Sequence, residues 1–157
     1  MKNRQLSILH KGLTDSGKLQ GVKFAYAVAK NKKLIEEEVE ALNEGLNPSE
    51  KFKEYDEKRV ELAKEHAEKD EDGNAVMVGE ENIKSFDIKD IAKFTKDLEK
   101  IQEEYKTELE ARDKQLKDYE KLMDEDTKLE LQKVKLENVP EEITGEQLEL
   151  ISEIIEE

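Results

Sequence analysis

Residues 88–123 read IKDIAKFTKDLEKIQEEYKTELEARDKQLKDYEKLM. Ile91, Phe94, Leu98, Ile101, Tyr105, Leu109, Leu116, Tyr119 and Met123 recur at helical spacing, so the run predicts one amphipathic helix with Asp87 as its N-cap. The successive steps of four at Ile101–Tyr105–Leu109 place an eleven-residue step inside a heptad pattern, which locally relaxes a left-handed supercoil. About 36 helical residues span about 54 Å. A domain of this size cannot enclose such a rod, so it is expected to lie against an antiparallel partner. Residues 22–69, read as two helices of similar summed length, are the expected partner.

On the N-terminal side of the rod, Ala75–Val78 and Ile83–Phe86 flank Gly79 and Asn82 and predict a β-hairpin. Asp70-Glu71-Asp72-Gly73-Asn74 breaks the helix before it. That helix is expected to start at Asn47-Pro48-Ser49-Glu50, with Asn47 as cap, Pro48 in the first position and Glu50 closing the box, and to run to about Lys69. Its apolar set is thin: Phe52, Tyr55, Val60, Leu62, Ala63 and Ala67. Upstream, Val22, Ala25, Val28, Ala29, Ile35, Val39 and Leu42 predict a helix that stops at Asn43 to Gly45. Leu6, Leu9 and Leu13 predict a short helix over residues 3–13, and Gly12, Ser16, Gly17 and Gly21 a flexible connection.

After the rod, Leu129, Leu131, Val134 and Leu136 predict a strand with a bulge at Lys133, ended by Pro140. Thr144-Gly145-Glu146-Gln147 is a capping box, and Ile143 with Leu148 has the spacing of a hydrophobic staple. The last helix is expected to bury Leu148, Ile151, Ile154 and Ile155. The predicted fold is mainly α: a long antiparallel helical hairpin or coiled coil, a small β-hairpin, and a C-terminal strand with a short helix. One domain over residues 1–157 is expected, in three parts: a basic segment 1–21, a helix–hairpin–helix arm 22–125, and a closing strand and helix 126–157. The layout of the arm is similar to that of a prefoldin subunit.

Composition fits long helices. Charged residues make up 43% of the 157 positions, hydrophobic residues 35% and aromatics 5%, with no Trp. The absence of Cys excludes disulfides, thiolate metal sites and thiol nucleophiles. No apolar run approaches the length of a membrane span, and Leu6-Ser7-Ile8-Leu9 is too short for the apolar core of a signal peptide. The reading is a soluble, intracellular protein without membrane partners. Charge is sharply divided. In residues 1–33, eight basic side chains stand against Asp15 alone, giving +7, so within a chain of −14 the remainder carries −21. That balance argues against direct DNA binding over most of the surface and asks what negative group meets the N-terminal segment.

Several motifs carry chemistry on paper. Gly12-Leu13-Thr14-Asp15-Ser16-Gly17-Lys18 has the glycine and lysine spacing of a phosphate loop, but Leu19 stands where a magnesium-binding hydroxyl is needed. A flexible interhelical turn is the preferred reading. Asp70, Asp72, Asn74 and Glu81 occupy positions one, three, five and twelve of a calcium loop, yet Ala75 replaces the glycine at position six. A solvated hairpin entrance is preferred, and no metal or cofactor is expected. His10 and His66 have no ligand spacing and read as edge histidines. Carboxylates are so abundant that no pair singles out acid–base chemistry, and no catalytic residues are expected.

The candidate binding residues are Lys18, Lys23, Tyr26, Lys30, Asn31 and Lys33. On a helix, Lys23, Tyr26, Lys30 and Lys33 share one side at steps of three and four. Cations beside an aromatic face suit phosphates and a base. The competing reading makes Phe24 and Val28 core and pairs the lysines with acidic helices across a subunit boundary.

Lys23-Phe24-Ala25-Tyr26-Ala27-Val28-Ala29-Lys30-Asn31 resembles the opening motif of small phage and prophage proteins of Gram-positive bacteria, grouped as a domain of unknown function. The resemblance continues at Glu68–Asn74 and from Leu129 to Ile151, including Pro140 and the Thr144 box; the middle, about residues 90–125, is longer than in that family. It implies a viral protein acting in the host cytoplasm. The functional expectation is then a non-enzymatic binding protein, a helical homo-oligomer that engages a host component and counteracts host defence. It would block a basic host protein with an acidic surface, or sequester a small anionic nucleotide on the Lys18–Lys33 stripe. The alternative is a prefoldin-like chaperone or virion assembly protein with exposed apolar residues near Val76, Val78 and Ile83.

Overall fold

The computed structural model describes residues 1–80 and 84–156. Glu81 of the calcium-type pattern, and Asn82 and Ile83 of the expected hairpin, lie outside these residues. Among the described residues the chain is mainly α-helical, with six α-helices and two small two-stranded sheets. No helix among them is long and apolar enough to cross a membrane. The chain divides into two compact units, one formed by Met1–Asn47 with the chain from Leu116 onward, the other by Pro48–Gln115. These boundaries differ from the three expected parts: the helix from Val22 shares a unit with the N-terminal residues and with the chain from Leu116 onward.

In the first unit, a 3-10 turn at Asn3–Gln5 leads into α1 (Leu6–Ser16), and α2 (Val22–Glu44) follows. Leu6, Leu9 and Leu13 of α1 are buried against Phe24, Ala27, Val28, Ile35 and Leu42 of α2. The predicted stripe on α2 is thus partly displaced: Val22 is 89% exposed, while Phe24 and Ala27 take the core side. Gly12 and Ser16 belong to α1 and are buried, so the expected flexible connection shrinks to the residues around Gly17 to Gly21. Gly21, at φ 127°, starts α2 in a backbone conformation that favours glycine.

The C-terminal part closes this unit. β3 (Val134–Lys135) pairs in parallel with β4 (Ile155–Glu156), Val134 opposite Ile155. The expected strand over 129–136 is therefore much shorter, and its partner is a second strand at the chain's far end. α6 (Gly145–Leu150) carries the predicted capping box, with Thr144 accepting from Gln147 N–H and the Gln147 side chain accepting from Thr144 N–H. The last helix ends early: Ile151 turns the chain into a 3-10 turn at Ser152–Ile154, and Ile151 and Ile154 are fully buried.

The second unit holds α3 (Glu50–His66), β1 (Met77–Val78), β2 (Ser85–Phe86), α4 (Ile91–Glu104) and the start of α5 (Lys106–Asp124). The hairpin is antiparallel, with Met77 opposite Phe86. Ser49, not Asn47, caps α3 by accepting from Phe52 N–H, and the helix ends at His66 because Ala67 is extended and bridges to Ile88. Asp90, not Asp87, caps α4 through Lys93 N–H. The predicted single rod is interrupted at Tyr105 (φ −105°, ψ 20°), within the two steps of four noted above. The physical reason is aromatic: Tyr105 is buried and its ring lies 5.9 Å from Tyr55, which in turn lies 5.7 Å from Phe52. Lys58 sits 4.7 Å over the Tyr105 ring and 2.8 Å from Glu104, and these partners raise its pKa. Within this unit α4 packs on α3, one of the two helices expected opposite the rod.

Gly12 marks the tightest approach in the first unit. A Cβ there would lie 2.6 Å from Leu150 Cβ and 3.1 Å from the Leu150 carbonyl carbon. Gly12→Ala is expected to lower stability by about 1–2 kcal/mol in urea denaturation, the overpacking cost exceeding a helix-propensity gain of about 1 kcal/mol. Gly145→Ala, which meets nothing within 4 Å, should leave stability unchanged or raised.

Candidate functional site

The first half of α2 lies beside the chain around β3, and a buried carboxamide holds the two together. Asn31 is fully buried; its Nδ2 donates to the Gln132 carbonyl at 2.8 Å, and its Oδ1 accepts from Gln132 N–H at 2.8 Å. Lys30 Nζ adds a 3.1 Å bond to Gln132 Oε1. With Gln132 fixed, strand alternation sends Val134 into the core and leaves Lys133 and Lys135 exposed. Lys133 Nζ donates to the Glu153 carbonyl.

The result is a cleft of about 270 Å³, lined by Lys23, Tyr26 and Ala27 on α2 and by residues 132–135, Asn138 and Glu156 opposite. Tyr26 is 62% exposed. Lys23 and Lys135 are exposed and have no ion pair among the described residues. Glu156 contributes one carboxylate to the same lining, so the cleft is positive without being uniformly so. An ammonium pair beside an accessible phenol attracts an anion and offers a ring face for stacking.

Of the six candidate residues, Lys23 and Tyr26 line this cleft, and Lys30 braces its wall. Asn31 does not face it; both ends of its carboxamide are used on Gln132, so its role is to hold the wall. Lys33 lies away from the cleft, 3.8 Å from Glu37 along the helix. Lys18 is exposed in the connection before α2 and does not line it. Sequence reasoning missed Lys133 and Lys135. The signal was present, since Lys133-Val134-Lys135 places two cations on one face of a strand whose apolar residue points inward.

A larger cavity of about 470 Å³ lies along α1 and the second half of α2, lined by Ser7, His10, Glu36, Glu40, Asn43 and Glu44 among others. His10 Nε2 is 2.9 Å from Glu36 Oε1. That hydrogen bond, helped by nearby Lys32, holds the Glu36 carboxyl below the ordinary glutamate range. The other sequence motifs resolve into structure. The phosphate-loop pattern is mostly α1 helix, with Gly12 set against Leu150. Asp70 accepts from Asp72 N–H and Asn74 N–H through one carboxylate oxygen, and these bonds hold its pKa down. Among the described residues no three His, Cys, Asp or Glu side chains are placed to hold a metal ion. His66 is 3.3 Å from Asp97 and stacks edge-on to Phe94.

Asn31→Leu should leave the Gln132 N–H and carbonyl without their partner, at a cost of about 1–3 kcal/mol per unsatisfied group. The expected outcome is a marked fall in the thermal midpoint, with loss of amide protection at Gln132 and Val134 in hydrogen exchange. Compared with known proteins, the chain matches no family model, no curated protein and no solved structure.

Proposed function

We propose that the chain is a non-enzymatic binding protein of phage origin whose cleft takes a small anionic nucleotide and so withholds it from the host. The observation that carries this reading is that Lys23 and Lys135, exposed and without an ion pair among the described residues, line one cleft with an exposed tyrosine, against the single carboxylate of Glu156, which stands opposite Lys135 in the strand pair. Acidic residues outnumber basic ones 41 to 27, so most cations have carboxylates within easy reach. Cations left unpaired together, facing one recess, attract phosphate as point charges. Tyr26 supplies a surface for one base, and stacking of this kind is worth about 1–3 kcal/mol. The cleft's size suits one phosphate and its sugar and not a polymer. Its side chains attract and orient an anion; no nucleophile among them stands beside a general base. The phage assignment is supported by the resemblance of Lys23–Asn31 and of the C-terminal run.

Isothermal titration with nucleoside monophosphates, cyclic nucleotides and inorganic phosphate tests the proposal. Lys23→Ala and Lys135→Ala should each weaken nucleotide binding about tenfold, equivalent to about 1.4 kcal/mol, while Lys18→Ala leaves it unchanged. Absence of heat with every nucleotide would remove the reading.

The second unit favours one other reading. Met77 and Val78 of the hairpin are 49% and 44% exposed, as a chaperone arm would present them to an unfolded client. Suppression of client aggregation by the intact chain, lost in Met77→Ser/Val78→Ser, would support that role. An unchanged aggregation rate would dismiss it.

A further inference from the structure

On the reading of the cleft between α2 and β3 as a nucleotide site, we infer that Glu156 makes that site selective for guanine. Several polar side chains of the lining are already committed. Lys30 Nζ donates to Gln132 Oε1, Gln132 Nε2 donates to the Lys133 carbonyl, and Lys133 Nζ donates to the Glu153 carbonyl. Lys23, Tyr26, Lys135, Asn138 and Glu156 line the same recess with side chains that make no hydrogen bond or ion pair among the described residues. Two cations and a ring face answer to a phosphate and a base. The carboxylate of Glu156 answers to neither charge nor stacking.

A carboxylate weakens a site for phosphate, because it repels the anion that the lysines attract. Nor is it spent as a counterion: Glu156 stands opposite Lys135 in the parallel strand pair, yet the two form no ion pair. An ionised carboxylate only accepts, through two oxygens, and so favours a ligand edge that presents two donors side by side. Guanine has such an edge, its ring N–H lying next to its amino group. Adenine and cytosine each offer an amino group beside a ring-nitrogen acceptor, and uracil one N–H between two carbonyls. Each of these would set a lone pair against the carboxylate. The Asn138 carboxamide carries both donors and an acceptor and can turn over to suit any base, so it does not discriminate.

Phosphate and base are thereby sorted within the recess. Repulsion by Glu156 keeps the phosphate toward Lys23 on the α2 wall and leaves the base edge against β4. Lys135, on a flexible four-carbon stem, reaches the phosphate from beside Glu156. Tyr26, exposed on α2, offers its ring to the same base. A bidentate contact of this kind favours guanine about tenfold, toward the lower end for paired base contacts, because Glu156 is exposed.

Isothermal titration of the intact chain with GMP, AMP, UMP and deoxy-GMP tests this. GMP is expected to bind about tenfold tighter than AMP or UMP, and deoxy-GMP as tightly as GMP. Glu156→Gln keeps the side chain's shape but offers one acceptor and one donor, a pattern that suits adenine. It should lower GMP affinity about tenfold and leave AMP bound at least as well as before, with unchanged circular dichroism. Equal binding of all bases would overturn the inference. So would a Glu156→Gln variant that strengthens every nucleotide alike, since Glu156 would then act only on the phosphate. A preference that vanishes with deoxy-GMP would overturn it too, because the carboxylate would then hold the ribose. Nucleotide binding that Lys23→Ala weakens, but that shows no base preference, strikes this inference and leaves the nucleotide reading standing. Silence with every nucleotide removes both.

Discussion

One carboxamide governs the first unit. Asn31 projects from the buried side of α2 and closes a two-bond ring with the backbone of Gln132, out of contact with water. The N–H and carbonyl of half-buried Gln132 depend on it, and leaving a desolvated polar group unpaired costs more than an ordinary hydrogen bond contributes. The bond also sets register. With Gln132 fixed, Val134 must point inward, and the flanking lysines must point out. Val134 then meets Ile155 across the parallel pair, which anchors the chain's end. The candidate cleft is thus a by-product of how the core is closed.

The second unit is stabilised differently. Its helices α3 and α4 are thin layers with few fully buried side chains, and aromatic rings carry much of the contact. A 3.6-residue helix cannot keep Ile101, Tyr105 and Leu109 on one straight seam while burying the Tyr105 ring against Tyr55. The backbone gives way at Tyr105, which leaves α-helical geometry for one residue before α5 begins. Lys58 fills the space over the ring, its charge matched by Glu104. The interruption is a local solution to packing one large side chain.

Local chemistry was legible in the sequence. The Thr144 box, the Gly45 stop, the hairpin and the apolar stripe of α1 each depend on residues a few positions apart. Caps were misplaced by two or three residues where several candidates stood together: Ser49 prevailed over Asn47, and Asp90 over Asp87. Long-range pairing was illegible. Asn31 and Gln132 lie 101 positions apart, and an asparagine inside a lysine-rich run reads as a surface residue. The parallel pairing of β3 with β4 was hidden because two-residue strands have no period to detect. Gly12 looked like part of a loop because its reason is steric: Leu150, from the far end of the chain, needs the space.

Charge segregation in α2 joins these observations. The inward side of the helix is constant along its length, from Phe24 through Asn31 and Ile35 to Leu42, because it faces one core. The outer side changes sign midway, near the fully buried Ile35. Stability of the first unit does not require that change, since exposed ion pairs contribute little and Lys33–Glu37 satisfies them locally. The helix dipole does not favour it either: Lys23 in the first turn and Glu44 in the last turn each stand at the end of unfavourable sign. A charge order that the helix dipole does not favour, on a face the core does not use, is not set by the folding of this unit.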